Sequence, residues 1–188
     1  DGGNTWSTVF EDSRKGMFLD AMSFDKKGTG LVIGDPIDGN MFQAFTKDSG
    51  ESWLASKGFS LEKGEAFFAS SGTNIQHTVF KKFSRIWVSG GTHSQLYFRG
   101  KNIEIPITKG KESTGANSIA VRKNRAVIVG GDFSNDKSRD SNCVLVKLAK
   151  HSKFSLPKTS PLGYRSCVIY YTKNKLLCCG TSGVDVSS

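Results

Sequence analysis

Two carboxylates with the same local setting are the side chains of this sequence best suited to chemistry. Asp35 follows the apolar run 31–33 and a glycine, and Asp132 follows the apolar run 127–129 and two glycines. Two carboxyl groups that face one substrate can serve as general acid and as nucleophile or base, as in glycoside hydrolysis. The sequence therefore leaves acid–base chemistry open at Asp35 and Asp132.

Four more polar residues stand near the end of an apolar run of this kind, or near the start of the strand-like segment that precedes such a run. These residues are Glu65, Asn74, Arg165 and Asp185. Together with Asp35 and Asp132 they form a candidate mouth that binds a ligand or a partner. The alternative is that all six residues cap turns and tie neighbouring elements together.

Cofactor and metal chemistry have no signature in this chain. Residues 28–34 contain glycines spaced GxGxxxG, but a strand follows them, whereas a dinucleotide loop leads into a helix. The three histidines stand in loop or edge segments and form no metal-ligating cluster: His77, His93 and His151. No serine–histidine or cysteine–histidine motif is visible. We therefore expect no cofactor and no metal, and we assign no catalytic residue, although the pair Asp35 and Asp132 stays a candidate for acid–base chemistry.

The four cysteines leave two interpretations open. Cys143, Cys167, Cys178 and Cys179 match no zinc-ligand spacing. They are either small buried apolar residues, or Cys167 forms a disulfide with one of the adjacent pair, because the two strands should be neighbours. Cys178 and Cys179 should face opposite sides of their strand.

The distribution of charged and apolar residues limits the partners that this chain can have. The chain carries 26 basic and 17 acidic residues, a net charge of +9. Its lysines are scattered and its aromatic residues lie in apolar segments, so we expect no nucleic-acid binding. No apolar run reaches about 18 residues, so we expect no transmembrane segment. The excess of basic residues favours an acidic partner or an anionic membrane surface.

A repeated turn shows what kind of scaffold must position the polar residues. Residues 1–6 and 48–53 both read Asp-x-Gly-x-Thr/Ser-Trp. The aspartate can accept backbone N–H bonds, the glycine can take a positive φ, and the tryptophan supplies an apolar anchor. The residues with this structural role are Asp1, Gly3, Trp6, Thr46, Asp48, Gly50 and Trp53. A recurring turn of this kind indicates a repeat architecture.

A longer repeat gives the strand pattern. Apolar runs end at glycines 34, 90, 130 and 180, each after another strand-like segment, at residues 20–24, 66–70, 117–121 and 166–170. Third strands are expected at 41–46, 94–98, 142–148 and 184–187, and fourth strands at 53–56, 103–107 and 154–156. Four strands in roughly 40–55 residues are typical of a β-propeller blade. A β-sandwich is the alternative.

The sequence thus predicts an all-β chain with about four blade equivalents in a single propeller region, residues 1–188. The blades are residues 1–15 (a last strand, 5–10, only), 16–60, 61–110, 111–160 and 161–188, the last incomplete. Read from end to start, Ser187 and Ser188 would complete the turn that begins at Asp1. The chain is either part of a larger ring, which we favour, or a small ring that its N-terminal strand closes.

These segments together resemble Asp-box (BNR-like) propellers, and more narrowly the photosystem II stability/assembly-factor-like family, whose bacterial members are often labelled oxidoreductases or glycosyl hydrolases. The matching segments are Phe18-Leu19-Asp20, Gly34-Asp35-Pro36 with Asp38-Gly39, Thr46–Trp53, Gly64-Glu65-Ala66, Ala69–Asn74, Gly130-Gly131-Asp132, Gly163–Ser166 and Gly180–Ser187. The resemblance spans most of the chain. It implies a seven-bladed ring, an extracytoplasmic location (periplasmic or secreted), and a role as a binding or assembly scaffold.

Sialidases also carry Asp boxes on propellers, which makes glycoside hydrolysis the enzymatic alternative. They use an arginine triad, a Tyr–Glu pair and an acid/base aspartate. None of the seven arginines here stands in a Phe/Tyr-Arg-Ile-Pro setting, and the four tyrosines have no evident glutamate partner. We therefore predict a non-catalytic scaffold that binds a protein or a small polar ligand.

Overall fold

The chain folds into antiparallel β-sheets, and the predicted all-β class is confirmed. A computed structural model describes residues 1–78 and 84–187. The described strands are, in chain order, β1 (Leu19–Phe24), β2 (Gly30–Ile37), β3 (Asn40–Thr46), β4 (Leu54–Ser60), β5 (Glu65–Ala66), β6 (Ile75–Thr78), β7 (Ser84–Val88), β8 (Gly90–Gly91), β9 (Gln95–Phe98), β10 (Lys101–Glu104), β11 (Thr114–Arg122), β12 (Arg125–Asp132), β13 (Cys143–Lys147), β14 (Lys153–Ser155), β15 (Cys167–Tyr170), β16 (Leu176–Gly180) and β17 (Gly183–Val186). Within this part, the one helix is a single 3-10 turn, Phe133–Asn135, and no helix is long and apolar enough to cross a membrane.

The strands form four successive meanders. Sheet I contains β1 to β4, sheet II contains β6, β7, β9 and β10, sheet III contains β11 to β14, and sheet IV contains β15 to β17. Short pairs connect β5 to β8 and β8 to β11, and so extend sheet III. Neighbouring strands within each meander are antiparallel and consecutive within their sheet, as the pattern of apolar runs and turns predicts.

Apolar cores fill the spaces between successive sheets. One core contains Ile33 of sheet I and Trp87 of sheet II, and a second contains Ile86 of sheet II and Ile128 of sheet III. A third contains Val168 of sheet IV. The first strands of successive sheets also contact each other, β1 with β6, β6 with β11, and β11 with β15. In the second strands of sheets I to III, residues 31–33, 86–88 and 127–129 are apolar and buried because both faces of these strands are covered.

Both copies of the repeated turn have the predicted hydrogen bonds. The Asp1 carboxylate accepts from the N–H of Gly3 at 2.9 Å, and the Asp48 carboxylate accepts from the N–H of Ser52 at 3.0 Å. In each copy the tryptophan indole donates to the glycine carbonyl, at 2.8 Å in the first and 3.0 Å in the second. Both glycines have a positive φ, as expected. The second copy joins β3 to β4 and fixes their register.

The prediction of a strand at residues 5–10 is wrong. Residues 1–18 contain no strand, and Trp6 is 89% exposed. A single segment without a neighbouring strand has no partner for its backbone hydrogen bonds, so its sequence pattern alone does not make it a strand. Phe10 packs on Phe42 of sheet I instead.

Closure of the last sheet by this segment is also not observed, because sheet IV has three strands and β17 is its edge. The interpretation that Ser187 and Ser188 complete the Asp1 turn involves Ser188, which lies outside the described residues.

The first strand of the second unit is displaced from its predicted position. The prediction placed it at 66–70, but the strand there is only β5, and the first strand of sheet II is β6. Phe67 is buried in the core between sheets I and II, while the chain turns at residues 69–72. The apolar residues at 67–69 are therefore explained by the burial of a loop residue, Phe67, and they do not form a strand.

Candidate functional site

One cavity receives side chains from all four sheets or from the segments that lead into them. We call it the Asp20–Asp35 cavity. Its volume is about 480 Å³. It is lined by Phe18, Asp20, Asp35, Phe67, Phe68, Ala69, Ser70, Asn117, Phe133, Tyr164, Ser166 and Thr181. Most of these residues stand where a first strand begins or a second strand ends, so the cavity lies at one common end of the sheets.

Irregular pairing at the start of the first strands turns polar side chains into this cavity. In sheet I, Leu19 pairs with Gly34 and Ala21 with Ile33, so Asp20 is the unpaired, bulged residue. In sheet III the same irregularity leaves Asn117 between its paired neighbours. A bulge puts two residues opposite one and redirects a side chain, which is why bulges often occur beside binding sites.

Glycine at the end of the second strand makes this bulge possible. A Cβ atom added to Gly34 would overlap the carbonyl oxygen of Phe18, and one added to Gly130 would overlap that of Gly115. The partner backbone therefore occupies the space of the missing side chain. The recurring glycine that defines the repeat in the sequence thus has a direct role in shaping the cavity.

Asp20 is the most unusual residue of the site. It is 5% exposed, and its Oδ2 atom has no hydrogen-bond partner among the described residues. Burial, and secondly the neighbouring Asp35 carboxylate, raises the pKa of Asp20 to about 8. At neutral pH the side chain therefore holds a proton, which it loses as the pH rises through about 8 or when a bound cation compensates for the charge.

Asp35 is the second carboxyl group of the cavity. It lies on β2, is partly buried, and its Oδ1 atom accepts a hydrogen bond of 3.3 Å from the backbone N–H of Phe67. Burial raises the pKa of Asp35 as well, while this hydrogen bond acts in the opposite direction. The cavity thus combines two carboxyl groups whose ionisation is opposed by their surroundings.

Aromatic rings form one side of the cavity. Phe68 and Phe133 meet edge to face, with ring centroids 5.9 Å apart, and Phe133 meets Tyr164 at 6.2 Å in a similar arrangement. The hydroxyl of Tyr164 donates to Asn117 Oδ1 at 2.7 Å and fixes both side chains. Phe133 remains 47% exposed, so an apolar surface faces a ligand at the opening.

Glu65, Asn74 and Asp132 do not line the cavity. Glu65 is 1% exposed and accepts hydrogen bonds from the hydroxyls of Ser89 and Tyr97, the latter at 2.8 Å. Asn74 is fully buried and donates to the Phe68 carbonyl at 3.1 Å. The Asp132 carboxylate caps the 3-10 turn, where it accepts from the Ser134 N–H at 2.9 Å, and it lies 3.8 Å from Lys111 Nζ.

Arg165 and Asp185 bind each other. The Nε atom of Arg165 donates to Asp185 Oδ2 at 2.7 Å, and a second guanidinium nitrogen donates to the Tyr164 carbonyl at 2.8 Å. Arg165 is 1% exposed, so an unpaired charge there would be costly. Of the six predicted mouth residues, Asp35 therefore lines the cavity, and the other five lie outside its lining with polar partners within the chain.

A second depression, of about 520 Å³, lies beside sheet II. Its lining is Asp25, Thr29, Phe59, His77, Arg85, Trp87, Tyr97, Phe98, Arg99, Gly100 and Lys101. The rings of Trp87 and Tyr97 are stacked there at 5.7 Å. His77 and Arg85 stand on β6 and β7, the strands on either side of residues 79–83, which the structure does not describe. The residues around the Asp20–Asp35 cavity are described throughout.

Sequence reasoning did not select Asp20, Asn117 or Tyr164 as site residues. A signal was present, because Asp20 and Asn117 are polar residues at the same position of the first strands, each directly after the residue that pairs with a recurring glycine. Asp132 and Asp35, the pair that the sequence suggested, are not brought together in one cavity. Asp20 occupies the position beside Asp35 instead.

No family model matches the sequence, and a search of the curated proteins gives no significant match. The resemblance to Asp-box propellers therefore stays a prediction from motifs. The functional argument has to come from the geometry of the cavity.

Proposed function

We propose that this chain is a β-propeller region that acts as a non-catalytic binding scaffold, and that the Asp20–Asp35 cavity is its ligand site. Three four-stranded meanders and one three-stranded meander follow each other in the chain, with their first strands in contact. This order and packing are typical of propeller blades around an axis. A protein partner is the other class of occupant that such a scaffold accepts.

The observation that carries the proposal is that one cavity collects equivalent positions from different sheets. Asp20 and Asp35 come from the ends of β1 and β2, and Asn117 and Phe133 come from the same region of sheet III. Thr181 follows β16 of sheet IV. Binding sites at the convergence of several elements, with apolar walls and a few polar groups, are the common form of small-molecule sites.

The geometry favours binding over catalysis. Five of the predicted polar residues have polar partners within the chain, which hold their side chains in place outside the cavity. What the cavity offers is two carboxyl groups, hydroxyls and aromatic rings.

A ligand screen on matched variants tests the proposal. The thermal unfolding of the wild type is measured with a panel of small saccharides, amines and carboxylates, and a ligand that binds the folded state raises the midpoint. Phe133→Ala should abolish this shift because it removes the exposed aromatic wall. Leu156→Ala, an exposed apolar residue outside the cavity, is the matched control and should keep it. Shifts that Phe133→Ala leaves unchanged would exclude the cavity as the site.

Glycoside hydrolysis is the second candidate, and one observation favours it. Asp20 holds a proton at neutral pH beside the Asp35 carboxyl group, and hydrolases of sugars use one protonated and one ionised carboxyl. Turnover of a panel of aryl glycosides that disappears in both Asp20→Asn and Asp35→Asn would establish this activity and exclude the non-catalytic scaffold.

A further inference from the structure

We propose that the Asp20–Asp35 cavity binds a primary or secondary ammonium group, which donates hydrogen bonds to both carboxylates while its apolar body contacts the aromatic wall. This inference rests on the proposed function, because it names the class of ligand for the same site. The chain as a whole carries a net charge of +9, so an acidic cavity is not a consequence of its overall composition.

The unpartnered oxygen of Asp20 is the first argument. Buried polar atoms in native proteins almost always have a hydrogen-bond partner, and leaving an acceptor without one is costly. Asp20 lines the cavity, and its buried Oδ2 atom has no hydrogen-bond partner among the described residues. The missing partner is thus a donor that enters from the cavity. An ammonium group supplies such a donor through its N–H, and its positive charge also stabilises the ionised carboxylate.

The charges that face Asp20 are the second argument. The titratable side chains of the cavity lining are Asp20, Asp35 and Tyr164, and the lining contains no Lys, Arg or His. Burial raises the pKa of the Tyr164 phenol, which therefore stays neutral. Strand β6, which packs against β1, carries His77 farther along, where it contacts Ser23. No cation among the described lining residues competes with a bound ammonium group.

The aromatic wall is the third argument. Phe68, Phe133 and Tyr164 form a continuous set of rings, and Phe18 stands at the opening with 54% of its surface exposed. The face of an aromatic ring attracts a cation, and it also packs against the methylene or aryl group that is bonded to the ammonium nitrogen. A neutral sugar could also stack on these rings, but only a cation stabilises the ionised forms of Asp20 and Asp35. The combination therefore selects an amine.

Binding of an ammonium group should be linked to release of a proton. The pKa of Asp20 lies near 8 in the free protein, and the bound cation stabilises the ionised form. Because the proton competes with the amine for Asp20, the affinity should increase as the pH rises from about 6 to about 8. A structural role of Asp20 alone would not produce this linkage.

Three ligands with the same ring and different charge provide the test: benzylamine, benzyl alcohol and benzoate. Titration calorimetry near pH 7 should show that benzylamine binds at least about tenfold more tightly than benzyl alcohol, with benzoate weaker still. Measurements in two buffers of different ionisation enthalpy should show release of a proton when benzylamine binds to the wild type.

Asp20→Asn should lower the affinity for benzylamine by about tenfold or more and abolish the release of a proton. The affinity for benzyl alcohol should stay unchanged. Asp38→Asn, at an exposed position of the turn between β2 and β3, is the matched control and should behave as the wild type. Circular dichroism and the urea midpoint near pH 6 verify that both variants are folded.

Capped lysine, N-acetyl-lysine methylamide, distinguishes the two sources of an ammonium group. Binding tighter than that of benzylamine indicates a lysine of a partner protein, and weaker binding indicates a free amine.

Benzyl alcohol could bind as tightly as benzylamine or more tightly, with the binding lost in Phe133→Ala. This result would overturn the assignment of an amine but would still support the cavity as the binding site. An unchanged benzylamine affinity in Asp20→Asn would overturn it as well. If none of the charged or neutral ligands binds and Phe133→Ala has no effect in the wider panel, both the amine and the ligand site are refuted.

Discussion

Replacement of Asp20 by asparagine is the most direct perturbation of the site, because it keeps the shape of the side chain and removes its ionisation. In the folded protein the pKa of Asp20 is raised to about 8 by burial and by Asp35. In the unfolded chain an aspartate has a pKa of about 3.9. Between these values the folded protein holds a proton that the unfolded chain releases.

The sign and magnitude follow from this difference. Because the folded pKa is the higher one, the stabilisation is complete below about pH 4 and is lost as the pH rises through about 8. One pH unit in this window corresponds to about 1.4 kcal/mol of unfolding free energy. Water in the open cavity screens part of the charge, so we expect a loss of about 2 kcal/mol between about pH 5 and about pH 7.

Urea denaturation at several pH values measures this effect. The unfolding free energy of the wild type should decrease across the window, whereas that of Asp20→Asn should be less dependent on pH by about 2 kcal/mol. Asp38→Asn, exposed at the β2–β3 hairpin, should follow the wild type. If Asp20→Asn retains the full decrease, Asp20 is ionised at neutral pH and the reasoning from its burial is wrong.

Three further predictions concern the scaffold. Gly130→Ala should lower the unfolding free energy by about 3 kcal/mol in urea denaturation, because its Cβ would overlap the backbone of β11; a change within about 0.5 kcal/mol would show that the bulge adapts freely. Hydrogen bonds from the Ser52 and Thr46 hydroxyls lower the pKa of Asp48, so its carboxyl resonance should titrate below about 3.9, and Ser52→Ala should raise that midpoint. Cys167 and Cys179 are paired directly across β15 and β16, so a mild oxidant should link them, as seen by peptide mass spectrometry, and Cys179→Ser should prevent the link; retention of both free thiols would contradict this geometry.

Local patterns made much of the fold predictable. The glycine-ended apolar runs, such as 31–33 and 127–129, are second strands because their apolar residues have both faces covered. The turn at Asp48 could be predicted because its hydrogen bonds connect residues at most four positions apart. The strands at 66–70 and 5–10 were predicted wrongly, because β-pairing requires a neighbour that the local sequence does not specify.

The candidate site was predictable only in part. Asp35 was selected because it follows a glycine-ended strand, and it does line the cavity. Asp132 has the same local setting, yet it caps a 3-10 turn and lies near Lys111. Arg165 was selected as a mouth residue, but it is buried against Asp185. Whether a polar side chain faces a ligand or an internal partner depends on residues that are distant in the chain.

By itself, the sequence determined the class of fold, the repeat of strands and the geometry of the turns, since these depend on alternation, on glycine and on hydrogen bonds between near neighbours. Only the tertiary structure decided which polar residues form the site. Asp20 and Asp35 are neighbours because β1 and β2 pair through a bulge at Gly34. Packing of the other sheets then buries Asp20, leaves its Oδ2 atom without a partner in the described part of the chain, and raises the pKa of Asp20, because burial depends on every element that surrounds a side chain.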